Sequence, residues 1–241
     1  GLRGRFRPTQ GRAGCGILEK GTYVVTQTAN ALAGYTSRRQ AFASTLSSLP
    51  PGPMRLQKET SNLFRTRNTN PHHALDISAF SHVLNIDTER NTIEVEGMTP
   101  YADVISASLQ SGLMPKVVPQ LKSITVGGAI SGIGIESSSF RYGLPHESVL
   151  EMDVLLAGGD VVTCTPDNVH QDLFFGMPNS YGTLGYILRV KLEAIPVKPY
   201  VQLTHLAFDN SAAFFAAIDK WSGEDIDFLD GCVLQRHQHF L

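Results

Sequence analysis

The stretch ITVGGAISGIGIESSSFRYG, residues 124–143, holds five glycines within seventeen positions (Gly127, Gly128, Gly132, Gly134, Gly143) and three consecutive serines, Ser137 to Ser139. Glycines let a backbone turn sharply and approach a ligand with no Cβ in the way. Successive backbone N–H groups in such a turn can form an anion-binding nest, and a pyrophosphate is the ligand it suits. The plainer reading is a tight glycine-rich connection without a ligand. The serines favour the cradle, because they add donors that a mere turn does not need.

Gly132 and Gly134 with Ser137 form a broken G-x-G-x-x-G, and Asp153 follows 21 residues after Gly132. A Rossmann site needs a strand, a helix opening at the glycines, and then a parallel strand. Residues 135–143 show no helical period, and residues 149–165 read as an antiparallel hairpin around Gly158-Gly159, so that fold is rejected and the phosphate cradle kept. Other reactive side chains have plain readings. His72-His73 point differently, and His237 and His239 close the chain, so neither pair is expected to hold a metal. Arg141 reads as an exposed arginine rather than a phosphate partner. Trp221, Phe214 and Phe215 read as helix core rather than a lipid-facing patch.

The rest of the chain must position that segment. Its 241 residues correspond to one or two domains. With 42% hydrophobic and 17% charged residues, it is neither disordered, coiled coil nor nucleic-acid-coating. No apolar run approaches the ~18 residues that span a bilayer. Cys15, Cys164 and Cys232 are odd in number and widely spaced, which suits reduced thiols in a reducing compartment. Residues 1–70 carry eleven Lys or Arg against Glu19 and Glu59. That charge suits a solvated arm, attraction to a cofactor phosphate or acidic membrane, or a targeting peptide. Tyr23-Val24-Val25 resembles ordered strand and weighs against targeting.

Residues 1–16 read as a mobile arm. Residues 35–49 read as a helix with Tyr35, Phe42, Leu46 and Leu49 on one face, stopped by the prolines at 50–53. Strands are expected at 54–58, 82–87, 92–96, 149–157, 160–165, 185–195, 200–208 and 228–234. A helix should open with Thr99 as cap and Pro100 in its first position. Its buried face would be Tyr101, Val104, Ile105 and Leu109, and Gly112 would end it. A second helix, 211–221, would bury Phe214, Phe215 and Ile218.

Several motifs occur in the order of the FAD-linked oxidase family, the vanillyl-alcohol oxidase/p-cresol methylhydroxylase (PCMH) class. They are PQLKSITVGG (119–128), the Gly132/Gly134 pair, Tyr142-Gly143, the hairpin, Asp172-Leu173-Phe174 and Gly182-Thr183-Leu184-Gly185. GIESSSFRYGL and DLFFGMPNSYGTLGYI look most like the sterol Δ24-reductase (diminuto-like) branch. The resemblance covers roughly residues 54–235. It implies an α+β fold, a PCMH-type FAD-binding domain of two α+β subdomains (about 51–88 and 91–197). An N-terminal arm and helix (1–50) would precede it, and the beginning of a truncated α+β cap domain (198–241) would follow.

The resemblance also implies the site residues. The loop Ile124–Gly128, with Thr125, Val126, Gly127 and Gly128, and the turn Gly132, Gly134, Glu136, Ser137 and Ser138 would meet the FAD pyrophosphate and ribityl chain, with Pro119 before them. Ser61 and Asn62, in the loop 59–62, would replace a first phosphate loop that is glycine-rich in many members. Tyr142, Gly143 and Val149 would border the adenine or its ribose, and Gly182, Thr183 and Gly185 would let backbone lie close to the cofactor. The loop 59–62 has no His or Cys for a covalent flavin bond, so FAD should bind non-covalently. The resemblance does not name a catalytic acid or base. In the reductase reading, NADPH supplies hydride through FAD to a C=C bond of a sterol-like or other apolar substrate. In the alternative, an alcohol or sugar is oxidised on the same fold. A third reading is a catalytically incomplete flavin-binding or scaffold fragment. The expected location is cytoplasmic or membrane-associated on the reducing side, with no nucleic-acid partner.

Overall fold

A computed structural model describes residues 20–47, 50, 52–57, 73–234 and 239–240. The expected arm at 1–16, the loop 59–62 with Ser61 and Asn62, and His72 and His237 lie outside the described residues. The fold is α+β, as expected, and is organised by one long strand.

That strand is β8 (Tyr186–Pro196). It pairs antiparallel with β4 (Thr92–Glu96), β6 (Val149–Leu155) and the short β5 (Leu113–Pro115). β3 (Val83–Asp87) adds outside β4, and β7 (Val161–Cys164) outside β6, so the main order is β3-β4-β8-β6-β7. The turn at 88–91, where the two subdomains are expected to meet, joins β3 to β4 within this one sheet. β1 (Met54–Leu56) and β2 (His73–Leu75) form a separate parallel pair.

Both faces of the sheet are covered, and β8 contributes apolar side chains to each. Ile187, Val190, Leu192 and Ala194 pack in one core with Ile93, Val95, Tyr101, Val104, Val126 and Ile130. These last four residues come from two helices, α2 (Tyr101–Ser108) and α3 (Val126–Gly132). Leu188 belongs to the opposite core with Tyr35, Leu46, Phe80 and Leu155. This side is roofed by α1 (Lys20–Ser47). Pairing jumps from Asp153↔Arg189 to Val154↔Ile187, so Leu188 is an extra residue on β8. Such a bulge re-aims neighbouring side chains. Here Leu188 and Arg189 both serve the α1 face.

Ionic contacts also fix α1. The Arg38 guanidinium pairs with Glu96, which is fully buried and also accepts from the His82 backbone N–H at 2.9 Å. Arg189 pairs with Glu94, Glu151 and Asp153. Asp153 further accepts from Thr163 Oγ1 at 2.7 Å. A buried carboxylate persists only when its oxygens are so occupied.

Several sequence expectations are corrected. Tyr23-Val24-Val25 lies inside α1, because tertiary anchoring downstream carries the helix back to Lys20. Pro100, not Thr99, caps α2, and the Thr99 hydroxyl instead donates to the His82 carbonyl at 3.1 Å. Leu109 leaves the buried face, since the helix tightens into a 3-10 turn there. In the β6–β7 turn only Gly159 takes positive φ. Residues 200–207 form no strand, and 228–234 contributes only β9 (Val233–Leu234), paired with β10 (His239–Phe240). The short α5 (Gln171–Gly176) precedes β8, and in α6 (Ser211–Ser222) Phe214 is buried but Phe215 is 61% exposed.

Candidate functional site

The Gly-rich segment folds as helix, turn and helix. Thr125 caps α3 with its side chain, accepting from Gly128 N–H at 3.3 Å, and Gly127 N–H donates to Gly97 O at 2.8 Å. A Cβ on Gly127 would sit 2.9 Å from the Gly97 carbonyl oxygen. So the residues read as a phosphate loop, Thr125 to Gly128, are mostly buried, and their donors are spent on the protein itself. Gly127 is required for α3 to press against the chain leaving β4. Glycines lower the helix propensity of this segment. The threonine cap and the burial of Val126, Ala129 and Ile130 override that here.

Beyond α3 the donors are freer. The N–H groups of Ile133, Gly134 and Ile135 meet no acceptor among the described residues. Ile133 itself has φ 47°, a left-handed value that is costly for a β-branched residue. The turn is then fixed from below. Glu136 accepts from Gln120 N–H at 3.0 Å, and the Ser138 hydroxyl donates to Lys116 O at 2.9 Å. Burial raises the Glu136 carboxyl above its ordinary range, Asp230 adds to this, and the Gln120 N–H opposes it. The short α4 (Ser139–Tyr142) follows, where no helical period was visible, and Gly143 ends it with φ 77°.

A second strained segment meets the first. Asn179, Tyr181 and Gly182 have φ of 59°, 50° and 82°. Tyr181 N–H donates to Ser131 O at 3.0 Å, and a Cβ on Gly132 would lie 3.8 Å from the Tyr181 ring. Ser180 is pinned by its backbone: its N–H donates to Met177 O, and its carbonyl accepts from both Thr183 N and Thr183 Oγ1. Its buried hydroxyl has no partner among the described residues. Strain of this kind persists where surrounding structure over-determines it, and it gathers at ligand clamps. Gly185 packs against β6: its Cβ would meet Leu155 O at 2.6 Å.

The fold thus brings Gly132 against Tyr181, next to Gly182 and Thr183, while Gly134 follows on the first turn. Ser137 and Ser138 lie on the same turn. Tyr142, Gly143 and Val149 follow along the chain, around the 3-10 turn Pro145–Ser148. Pro119 is buried beside Gln120. Ile133, Asn179, Ser180 and Tyr181 were not singled out from sequence. The run Pro178-Asn179 before Gly182 carries a signal for them, since asparagine tolerates the left-handed region. The N–H donors at 133–135, unpaired among the described residues and beside a second strained turn, fit a phosphate-bearing cofactor such as FAD. Among the described residues no group of three or more His, Cys, Asp or Glu could hold a metal ion.

Comparison with known proteins agrees. The FAD binding domain family matches residues 52–165. Over 134 residues, 56% of this chain and 24% of the relative, the chain is 39% identical to a Delta(24)-sterol reductase of Pisum sativum. Over 170 residues, 67% of this chain and 30% of the relative, it is 35% identical to the Delta(24)-sterol reductase of Arabidopsis thaliana. It is 30% identical over 205 residues, 83% of this chain and 34% of the relative, to cytokinin dehydrogenase 10 of Oryza sativa subsp. japonica. The chain therefore spans about a quarter to a third of the length of these relatives. Residues 52–165 are an FAD-binding domain of the FAD-linked oxidase class, on a chain whose relatives include Delta(24)-sterol reductases and a cytokinin dehydrogenase.

Proposed function

We propose that this chain is the FAD-holding part of an oxidoreductase that reduces a C=C bond of a sterol-like substrate, with NADPH as electron donor. The observation that carries the reading is the 39% identity to a Delta(24)-sterol reductase. FAD, when bound, supplies hydride transfer at its ring system.

The chain's own residues bind and orient. The N–H groups of Ile133, Gly134 and Ile135, with the Ser137 hydroxyl, are the donors for the diphosphate. Thr125, Val126, Gly127 and Gly128 act by shaping α3 rather than as donors. Gly182, Thr183 and Gly185 hold the second strained turn against the first, and Ser180 offers its hydroxyl there. Tyr142, Gly143 and Val149 border the adenosine end, and Ser61 and Asn62 complete the phosphate contacts. Pro119 fixes the segment leading into the turn. The binding is non-covalent. The compartment is a reducing one, in the cytosol or at a membrane surface. Among the described residues no helix is long and apolar enough to cross a membrane.

A second reading is favoured by the longer match to cytokinin dehydrogenase 10, which extends over 83% of this chain. It makes the chain part of a flavin-dependent dehydrogenase. The deciding experiment incubates the FAD-loaded chain anaerobically with NADPH and a Δ24-sterol. Sterol gaining two mass units supports the reductase reading. Flavin bleaching by a cytokinin, with none by NADPH, overturns it in favour of the second.

A further inference from the structure

Chain that follows the FAD-binding domain returns to its Gly-rich turn. Arg141 Nη2 lies 3.0 Å from Asp225, and its Nη1 lies 3.9 Å from Asp227 and donates to Ile226 O at 3.0 Å. Leu229 N–H donates to the Ser137 carbonyl at 2.8 Å. The segment 225–229 is thus tied at one end to α4 and at the other to the turn itself. Just beyond it the chain is seated on α6, where a Cβ on Gly231 would meet the Phe214 ring at 2.6 Å. The segment and its flanks carry Glu224, Asp225, Asp227 and Asp230, with no Lys or Arg from 221 to 235.

The strength of these ties differs from that of the ties beneath them. Asp225 is 93% exposed and Asp227 80%, and Arg141 keeps 38% exposure. An exposed ion pair shifts an equilibrium by at most about fivefold. The turn is instead held from below by the Gln120 N–H to Glu136 and Ser138 hydroxyl to Lys116 bonds. The segment can therefore lift while the turn stays in place.

We propose that residues 225–229 are an acidic strap, latched by Arg141 across the turn at 136–141, whose opening sets how fast FAD enters and leaves this domain. The proposal rests on the reading that this turn holds the cofactor diphosphate. The strap's carboxylates oppose the ligand's charge, and the latch neutralises two of them. Releasing the latch from either side speeds exchange, but with opposite effects on affinity. Arg141→Ala leaves the carboxylates uncompensated, whereas Asp225→Asn with Asp227→Asn leaves the guanidinium's charge uncompensated.

The test is FAD release from the loaded full chain, followed by recovery of flavin fluorescence after dilution, with hydrogen exchange of the Leu229 amide recorded on the same proteins. The strap predicts Leu229 exchanging faster and FAD leaving roughly two- to fivefold faster in both variants. The dissociation constant should rise in Arg141→Ala and fall in the double variant, and Arg141→Lys should restore part of the wild-type rate. FAD bound by all proteins with equal release rates overturns the strap alone. A wild-type chain that takes up no FAD overturns the cofactor reading, and the strap's role falls with it.

Discussion

The Tyr35 hydroxyl on α1 donates a 2.6 Å hydrogen bond to Asp153 Oδ2 on β6, across a sequence separation of 118. The bond joins the roofing helix to the central sheet at its charged centre, where Arg189 also donates to Asp153. Tyr35→Phe keeps the ring, which packs edge-on to Phe80 at 6.1 Å, and removes only the hydroxyl. The expected loss is about 1.5 kcal/mol, the low end for a hydrogen bond to a charged group, because Asp153 keeps its other donors. Urea unfolding should show a lower midpoint with an unchanged slope.

Asp153 also gives the fold an acid limit. Burial pushes its pKa up, but hydrogen bonds and charge from Arg189, with Tyr35 and Thr163, outweigh this and hold it below the ordinary value. A carboxyl with a depressed folded pKa contributes stability that is fully present above its unfolded pKa, about 3.9. That contribution is lost as pH falls through the folded pKa. Urea midpoints should therefore be steady down to about pH 5 and drop steeply below about pH 4. Asp153→Asn should flatten that drop. An equally steep acid limb in the variant would place the effect on other carboxylates.

The β4 strand, the β6–β7 hairpin and β8 were legible because alternation and turn glycines are local signals. What brings α1 onto the sheet was not, since Tyr35–Asp153, Arg38–Glu96 and Arg189–Glu94 are long-range pairs that leave no periodic trace. Residues 200–208 alternate like a strand, yet Val201 and Leu203 are 68% and 75% exposed, and 200–207 pairs with no strand among the described residues. Alternation states a strand's preference, and only a neighbouring strand realises it. At the site, the Gly-rich turn was visible by composition. The left-handed Ile133 and Tyr181 were not, because strain at a bulky residue is imposed by tertiary contacts rather than encoded by type.

Gly127 and Gly132 lie on the same short helix and should respond differently to alanine. The Gly127 position faces Gly97 O at 2.9 Å and Ile187 Cβ at 3.4 Å, so Gly127→Ala forces backbone apart. Overpacking of this kind costs about 1–3 kcal/mol. At Gly132 the nearest atom is a Tyr181 ring carbon at 3.8 Å, an ordinary contact, so Gly132→Ala should fold with little loss. Thermal melts of the two variants check this, and equal destabilisation would contradict the α3 packing described above.

Cys164 is buried, and burial together with Asp153 pushes its thiol up to about 11, while Cys232 is exposed. The thiolate is the reactive form. In a Cys15→Ser, Cys232→Ser background, a chromogenic disulfide reagent at pH 8 should find no thiol in the native protein and one after urea is added. A rapidly reacting thiol in the native variant would show that β7 is not sealed against solvent.

Equilibrium FAD binding followed by acid precipitation tests whether the chain holds FAD without a covalent bond. The full chain should take up one FAD with quenching of flavin fluorescence, and acid should release all the yellow colour to the supernatant. Gly134→Val, which places a branched side chain on the turn's free donors, should weaken binding by about ten- to a hundredfold, the cost of one lost charge-assisted hydrogen bond. No saturable uptake by the wild type, or flavin retained in the acid pellet, would contradict non-covalent FAD binding.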